Sequence, residues 1–122
     1  MPTRILVLDD NPVNLDVLRA TLEPNGYEVL TTTNLPEALQ MVETAPPDLI
    51  LSDLYMPDAS GFEFLMKIKH NSQLKHIPFI VITSQSWNRA DRPSGLALGA
   101  DKFIQRPIEP GKLLREIAEL VG

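Results

Sequence analysis

Four short runs of the chain are apolar without alternation, and this feature constrains the fold most. They cover residues 5–8, 49–51, 79–82 and, more weakly, 103–104. Continuous runs of this length are typical of strands that are buried on both faces. Residues 27–32 mix polar and apolar side chains, as an edge strand does. The pattern predicts five strands, β1 to β5 in chain order, near residues 4–8, 27–32, 48–53, 78–83 and 102–105.

Amphipathic helix patterns separate these strands. In each pattern apolar residues recur three and four positions apart, which places them on one face of a helix. The apolar faces are Leu15, Leu18 and Leu22 in the first helix, Leu35, Ala38, Leu39 and Val42 in the second, Phe64, Leu65 and Ile68 in the third, and Leu113, Leu114, Ile117, Leu120 and Val121 in the last. Strands and helices that alternate along a chain predict an α/β fold with a parallel sheet and helices on both faces.

A fourth helix is predicted between β4 and β5. Its segment, WNRADRPSGLALGA, contains Pro93 and Gly95. Proline inside a helix removes a hydrogen bond and clashes with the preceding turn, which costs ~3 kcal/mol. We therefore expect regular helix to begin at about Arg92, with Pro93 in its first turn.

The composition fits one domain spanning residues 1–122, with no output domain among them. The 122 residues are 43% hydrophobic and carry a net charge of −5 with no basic block, so we do not expect nucleic acid binding. No apolar stretch is nearly as long as the roughly 18 residues of a membrane helix. The apolar run in the start MPTRILVLDD is short and ends in two acids, which does not fit a signal peptide. The absence of cysteine excludes disulfides and thiolate metal sites. We therefore expect a cytoplasmic location and no membrane association.

Polar side chains follow four of the predicted strands at the point where each strand ends. Asp9 and Asp10 follow β1, Asp53 ends β3, Thr83 ends β4, and Arg106 comes just after β5. In an open parallel sheet, ligands bind beyond the carboxyl ends of the strands. These side chains are therefore expected to converge on one rim of the sheet.

Three carboxylates close together repel one another unless a cation binds or a proton is taken up. Oxygen donors without cysteine suit a hard ion such as Mg²⁺. An aspartate beside that ion is able to attack phosphorus and form an acyl phosphate, with a hydroxyl and a cation stabilising the phosphoryl oxygens. Taken singly, an acid at a strand end most often caps a helix or faces solvent, and Asp10 is a candidate cap for the first helix. The occurrence of all these residues together favours a site.

With these motifs the chain resembles the receiver domain of response regulators in two-component signalling systems. The resemblance extends from Arg4 to Val121 and is carried by LVLDDNPVN, ILSDLYMPDASG, VITS and GADKFIQRPI. It implies a flavodoxin-like (βα)₅ sheet of order 2-1-3-4-5. It also implies Mg²⁺-dependent transfer of a phosphoryl group from a histidine kinase or phosphotransfer protein. The transfer would switch the face formed by the fourth helix, β5 and the fifth helix, which in this family also serves for homodimers.

The resemblance assigns roles position by position. Asp53 would be the phosphoacceptor, and the Mg²⁺ ligands would be Asp10, Asp53 and the backbone carbonyl of Tyr55. Asp9 would assist the ion or hold a metal-bound water. Thr83 would be the switch hydroxyl, Phe103 the switch aromatic residue, and Arg106 the cation that contacts the phosphoryl group.

Arg106 departs from the family, which has lysine before the proline that follows β5. Lysine is a compact point charge, whereas arginine is a longer planar fork, so the two are not interchangeable. The fork would either hold two phosphoryl oxygens or miss the pocket. The family also implies a cis peptide bond before Pro107.

Two other functions remain open. Arg106 and the unusual fourth helix fit a phosphorylation-independent interaction module, although the three intact acids argue against it. An enzyme on the same fold is the second alternative. A nucleotide or flavin enzyme would need a phosphate-binding loop after β1, and an aspartyl phosphatase would need D-x-D there; this chain has Asp9-Asp10 instead. Labelling with a small phosphodonor distinguishes these functions.

Overall fold

A computed structural model describes residues 2–53, 61–83 and 99–121 of the chain. Within these residues five parallel strands form one sheet of order β2-β1-β3-β4-β5. The strands are β1 (Arg4–Leu8), β2 (Glu28–Thr32), β3 (Leu49–Ser52), β4 (Phe79–Thr83) and β5 (Lys102–Gln105). The predicted α/β class, strand positions and flavodoxin-like order are confirmed.

Four helices are described: α1 (Pro12–Leu22), α2 (Leu35–Thr44), α3 (Gly61–Lys69) and α5 (Pro110–Val121). The helix predicted from about Arg92, numbered α4, lies outside the described residues. Proline stands in the first turn of α1, α2 and α5, where its missing N–H has no helical partner to lose.

The core has two layers, one on each face of the sheet. Successive strand residues point to opposite faces, so a strand covered on both sides must be apolar throughout. On one face, α2 and α3 pack against Leu6, Leu8, Ile50, Phe79 and Val81. On the other face, the buried apolar residues of α1 and α5 pack against Ile5, Val7, Leu49, Leu51, Ile80 and Ile82. This two-sided burial explains the unalternating runs in the sequence.

Lys102 fastens α5 to the edge strand β5. Its ammonium donates hydrogen bonds to the carboxylates of Glu116 and Glu119, both on α5. Burial of Lys102 lowers its pKa, but the hydrogen bonds to the two glutamates outweigh that effect and raise the pKa above its ordinary value of 10.5. These ionic contacts fix the position of α5 against the sheet.

The turn into β5 depends on Gly99 and Lys69. Gly99 has φ +109°, and a Cβ atom there would lie 3.0 Å from Cγ of Lys69. The Lys69 ammonium donates to the carbonyl of Ile77 at 2.6 Å and pairs with Asp101 at 3.5 Å. The Asp101 carboxylate in turn accepts from the backbone N–H of Phe79 at 2.8 Å. A side chain at Gly99 would therefore disturb both the turn and this network.

We expect Gly99→Ala to destabilise the domain by about 1–2 kcal/mol, because the left-handed conformation is strained for any residue with a Cβ. The free energy of unfolding in urea measures the effect. Gly111→Ala is the matched control, since its Cβ would meet atoms no nearer than 3.8 Å in the first turn of α5. That control should be neutral or stabilising. Equal losses in both variants would contradict the strain argument.

Candidate functional site

The pairing of β1 with β3 brings two aspartates to the same rim of the sheet. Leu8 and Ser52 are partners in register, so Asp9 and Asp53 are the next residues on neighbouring strands. The backbone N–H of Asp53 donates to the carbonyl of Leu8 at 2.8 Å, and that of Asp9 donates to the carbonyl of Thr32 at 3.2 Å. The sheet backbone therefore fixes the positions of the main-chain atoms from which both side chains extend.

Asp9, Asp10 and Asp53 form a cluster in which carboxylate oxygens, one from each residue, lie within 4.8 Å of one another. Asp9 and Asp53 are almost fully buried, at 0% and 5% exposure, and Asp10 is exposed. The predicted convergence of the three acids is confirmed. A cluster of oxygen donors with this spacing fits a hard divalent cation.

Asp9 is held by two hydrogen-bond donors and one cation. Its Oδ1 accepts from the backbone N–H of Asn11 at 2.9 Å, and its Oδ2 accepts from the side-chain amide of Asn14 at 3.2 Å. Nη2 of Arg106 lies 2.9 Å from the same Oδ2. Sequence reasoning did not find Asn14. It follows Asp9 by five positions, in the first turn of α1, where an amide is able to reach back over the rim.

Arg106 reaches the acidic cluster, so its guanidinium does not miss the pocket. Its side chain is 13% exposed and forms an ion pair with Asp9. Within the part of the chain that the structure describes, the two buried terminal nitrogens of Arg106 have no partner with hydrogen-bond geometry. The close approach to Asp9 is therefore an ion pair in which the N–H groups are not aimed at the oxygen. The expected cis peptide bond between Arg106 and Pro107 is present.

The N-cap of α1 is Asn11 and not Asp10. The side-chain oxygen of Asn11 accepts from the N–H of Val13 at 2.9 Å. The alternative reading of Asp10 as the helix cap is therefore wrong, because the asparagine that follows it supplies the capping oxygen. The Asp10 carboxylate belongs to the acidic cluster instead.

For Thr83 and Phe103, two further predicted site residues, the structure gives the position on the sheet. Thr83 ends β4 and pairs in register with Gln105 of β5, so its backbone lies on the same rim. Phe103, on β5, is partly buried and packs against the core layer beneath α2 and α3. Tyr55 lies outside the described residues. The roles of these residues stay predictions.

A groove of about 380 Å³ runs beside the acidic cluster, between α1 and the segment that connects β5 to α5. Its walls are mostly apolar and include Val17, Leu18, Ile108 and Leu113, and Arg106 lies among the lining residues. Val17 of α1 is 57% exposed. Sequence periodicity did not reveal this groove, because its walls come from the two ends of the chain.

The family model for the response regulator receiver domain matches residues 5–118. The chain is 39% identical over 120 residues to the response regulator PleD of Caulobacter vibrioides, covering 98% of this chain and 26% of that protein. It thus spans about a quarter of PleD. It is 32% identical over 122 residues to the polar-differentiation response regulator DivK of Brucella anthropi, covering 100% of this chain and 98% of DivK.

Among solved structures, the chain superposes on the chemotaxis protein CheY4 of Vibrio cholerae with a TM-score of 0.91, at 31% identity, covering 98% of this chain and 99% of that one. In the described residues, no helix is long and apolar enough to cross a bilayer. The family match, the relatives and the shared fold agree with the acidic rim, and the chain belongs to the response regulator receiver domain family.

Proposed function

We propose that this receiver domain accepts a phosphoryl group on Asp53 from a phosphohistidine of a histidine kinase or phosphotransfer protein, and that Mg²⁺ is required. The observation that carries the proposal is the cluster of Asp9, Asp10 and Asp53 beside the largely buried side chain of Arg106. Transfer to Asp53 then changes the face formed by α4, β5 and α5. A target protein or a second copy of the chain would read that change.

The donor set supports a Mg²⁺ site. Three carboxylates that approach within 4.8 Å repel one another, and two of them are buried. A small divalent ion relieves that repulsion, and Mg²⁺ commonly binds through one or two carboxylates and retains several waters. Asp10 and Asp53 would hold the ion with the Tyr55 carbonyl, and Asp9 would assist. The bound ion supplies positive charge against the phosphoryl oxygens.

The proposed step is an in-line displacement at phosphorus. A carboxylate oxygen of Asp53 forms the new P–O bond while the P–N bond to the donor imidazole breaks. The electron pair of the broken bond stays on the imidazole nitrogen, so the products are an acyl phosphate on Asp53 and a histidine free to take up a proton from water. The guanidinium of Arg106 offers a fork of N–H donors to phosphoryl oxygens.

The groove between α1 and α5 supports docking of the phosphodonor by an apolar helix face. It adjoins the acidic cluster through Arg106, and Val13 and Val17 are 65% and 57% exposed on the adjacent surface of α1. A helix carrying the phosphohistidine would bury these valines and bring its imidazole to the rim. Helix-in-groove recognition of this kind is read through apolar residues three and four positions apart.

We expect Asp53→Asn to abolish labelling by acetyl phosphate with Mg²⁺, because the amide is not a nucleophile for phosphorus. Intact mass before and after treatment measures the added phosphoryl group. Asp48→Asn is the matched control: Asp48 precedes the amino end of the same strand and contacts Arg4 instead of the cluster. It should keep full labelling.

Two results of this labelling experiment would count against the proposal. Label that survives in Asp53→Asn would identify a different acceptor. An unlabelled parent protein, with acetyl phosphate and with phosphoramidate, would favour the phosphorylation-independent interaction module.

We expect Val17→Asp to slow transfer from a phosphorylated donor protein about tenfold or more, since a loss of 1.4 kcal/mol in docking is a factor of ten. Labelling by acetyl phosphate should stay unchanged, because that donor needs no groove. Met66→Asp is the matched control, since Met66 is 41% exposed on α3, across the sheet from the groove. Equal slowing with both donors would show that Val17 acts on the chemistry and not on docking.

A further inference from the structure

We propose that Arg106 is an internal counterion of the acidic cluster and competes with Mg²⁺ for Asp9. The inference rests on the proposed Mg²⁺ site. It concerns the position at which arginine replaces the lysine of the family motif, and it makes Arg106 a residue that sets how tightly the metal binds.

The first support is that both carboxylate oxygens of Asp9 already have partners. Both of its oxygens are engaged, Oδ1 by the Asn11 N–H, and Oδ2 by the Asn14 amide and by Arg106 Nη2 at 2.9 Å. A carboxylate has about four lone-pair positions in all. A metal ion, or a water bound to it, needs one of these positions, and it binds more weakly when the carboxylate charge is already shared with Arg106.

The second support is the burial of the pair. Asp9 and Arg106 have side chains that are 1% and 13% exposed, so water screens their charges only weakly. An acid buried in this way needs a partner of opposite charge. In the metal-free protein Arg106 supplies that charge, and it does so from β5, three strands away from β1 in the sheet.

Competition follows from the geometry of the cluster. The guanidinium lies 2.9 Å from an oxygen of Asp9, and carboxylate oxygens of Asp9, Asp10 and Asp53 lie within 4.8 Å of one another. A divalent ion among these oxygens would come within a few ångströms of the arginine. Because like charges at that distance repel, loading of Mg²⁺ requires the guanidinium to withdraw from Asp9. A phosphoryl group on Asp53 would give it another set of oxygens to contact.

The test is the Mg²⁺ dissociation constant of the full chain, measured by titration calorimetry at fixed ionic strength. Proton binding gives the scale: a charge within about 4–6 Å of a carboxylate commonly shifts its affinity for a proton by one to three powers of ten. We expect Arg106→Gln to bind Mg²⁺ at least about tenfold more tightly than the parent. Arg115→Gln removes the same charge from an exposed site on α5 and should change the affinity little.

Thermal unfolding with EDTA and with Mg²⁺ provides a second readout. Arg106→Gln should unfold at a lower temperature in EDTA, because the buried Asp9 carboxylate loses its charged partner. Added Mg²⁺ should raise its midpoint more than that of the parent, since a ligand stabilises the state that it binds more tightly. If the variant does not fold in EDTA, its recovery with Mg²⁺ supplies the same comparison.

A double substitution locates the effect at Asp9. In an Asp9→Asn background, Arg106→Gln should alter Mg²⁺ affinity far less, because residues that act through one contact are not additive. An undiminished effect in that background would overturn the assignment of Asp9 as the group for which the two cations compete.

The outcomes separate this inference from the proposed function. Equal or weaker Mg²⁺ binding by Arg106→Gln, with clear binding by the parent, would overturn the competition and leave the metal site standing. Absence of Mg²⁺ binding in the parent and in Arg106→Gln would overturn both. Binding that appears only in Arg106→Gln would support the competition in its strongest form.

Discussion

The site depends on the parallel pairing of β1 with β3. Because Leu8 and Ser52 are in register, the chain delivers two aspartates to adjacent positions where water is largely excluded. A single buried carboxylate is already unfavourable, and two neighbours that share a pocket also repel each other. Hydrogen-bond donors and positive charge at this rim therefore offset a cost that the backbone geometry of the sheet imposes on the fold.

Two parts of the chain supply the hydrogen-bond donors and the cation. The start of α1 provides the N–H of Asn11 and the amide of Asn14, and the segment after β5 provides Arg106. The two core layers hold these elements in place, with α1 and α5 packed on the same face of the sheet. Arg106 thus pairs with the buried Asp9 while no metal ion is present. On the proposed competition, the metal-free and metal-bound states would differ in the partner of Asp9.

Local sequence patterns were sufficient for the sheet and for the convergence of the acids, and insufficient for the contacts among side chains. Apolar runs report two-sided burial directly, and parallel strands bring their carboxyl ends together whatever the loops do. The ion pair between Arg106 and Asp9 depends on the conformation of a long side chain and on a strand three places away, which no local pattern encodes. Met66 of α3 is 41% exposed, because Phe64, Leu65 and Ile68 already fill the buried face of that helix.

Asn11 belongs both to the acidic cluster and to the N-terminus of α1. Its main-chain N–H holds the Asp9 carboxylate, and its side chain caps the helix whose outer surface borders the groove. Any protein that tightens the first turn of α1 on docking would therefore also restrict the orientation of Asp9. Coupling between two ligands is reciprocal. If a docked partner changes the affinity for the ion by some factor, the ion changes the affinity for the partner by the same factor. Under the proposed function, this one asparagine would couple recognition of the donor protein to occupancy of the metal site.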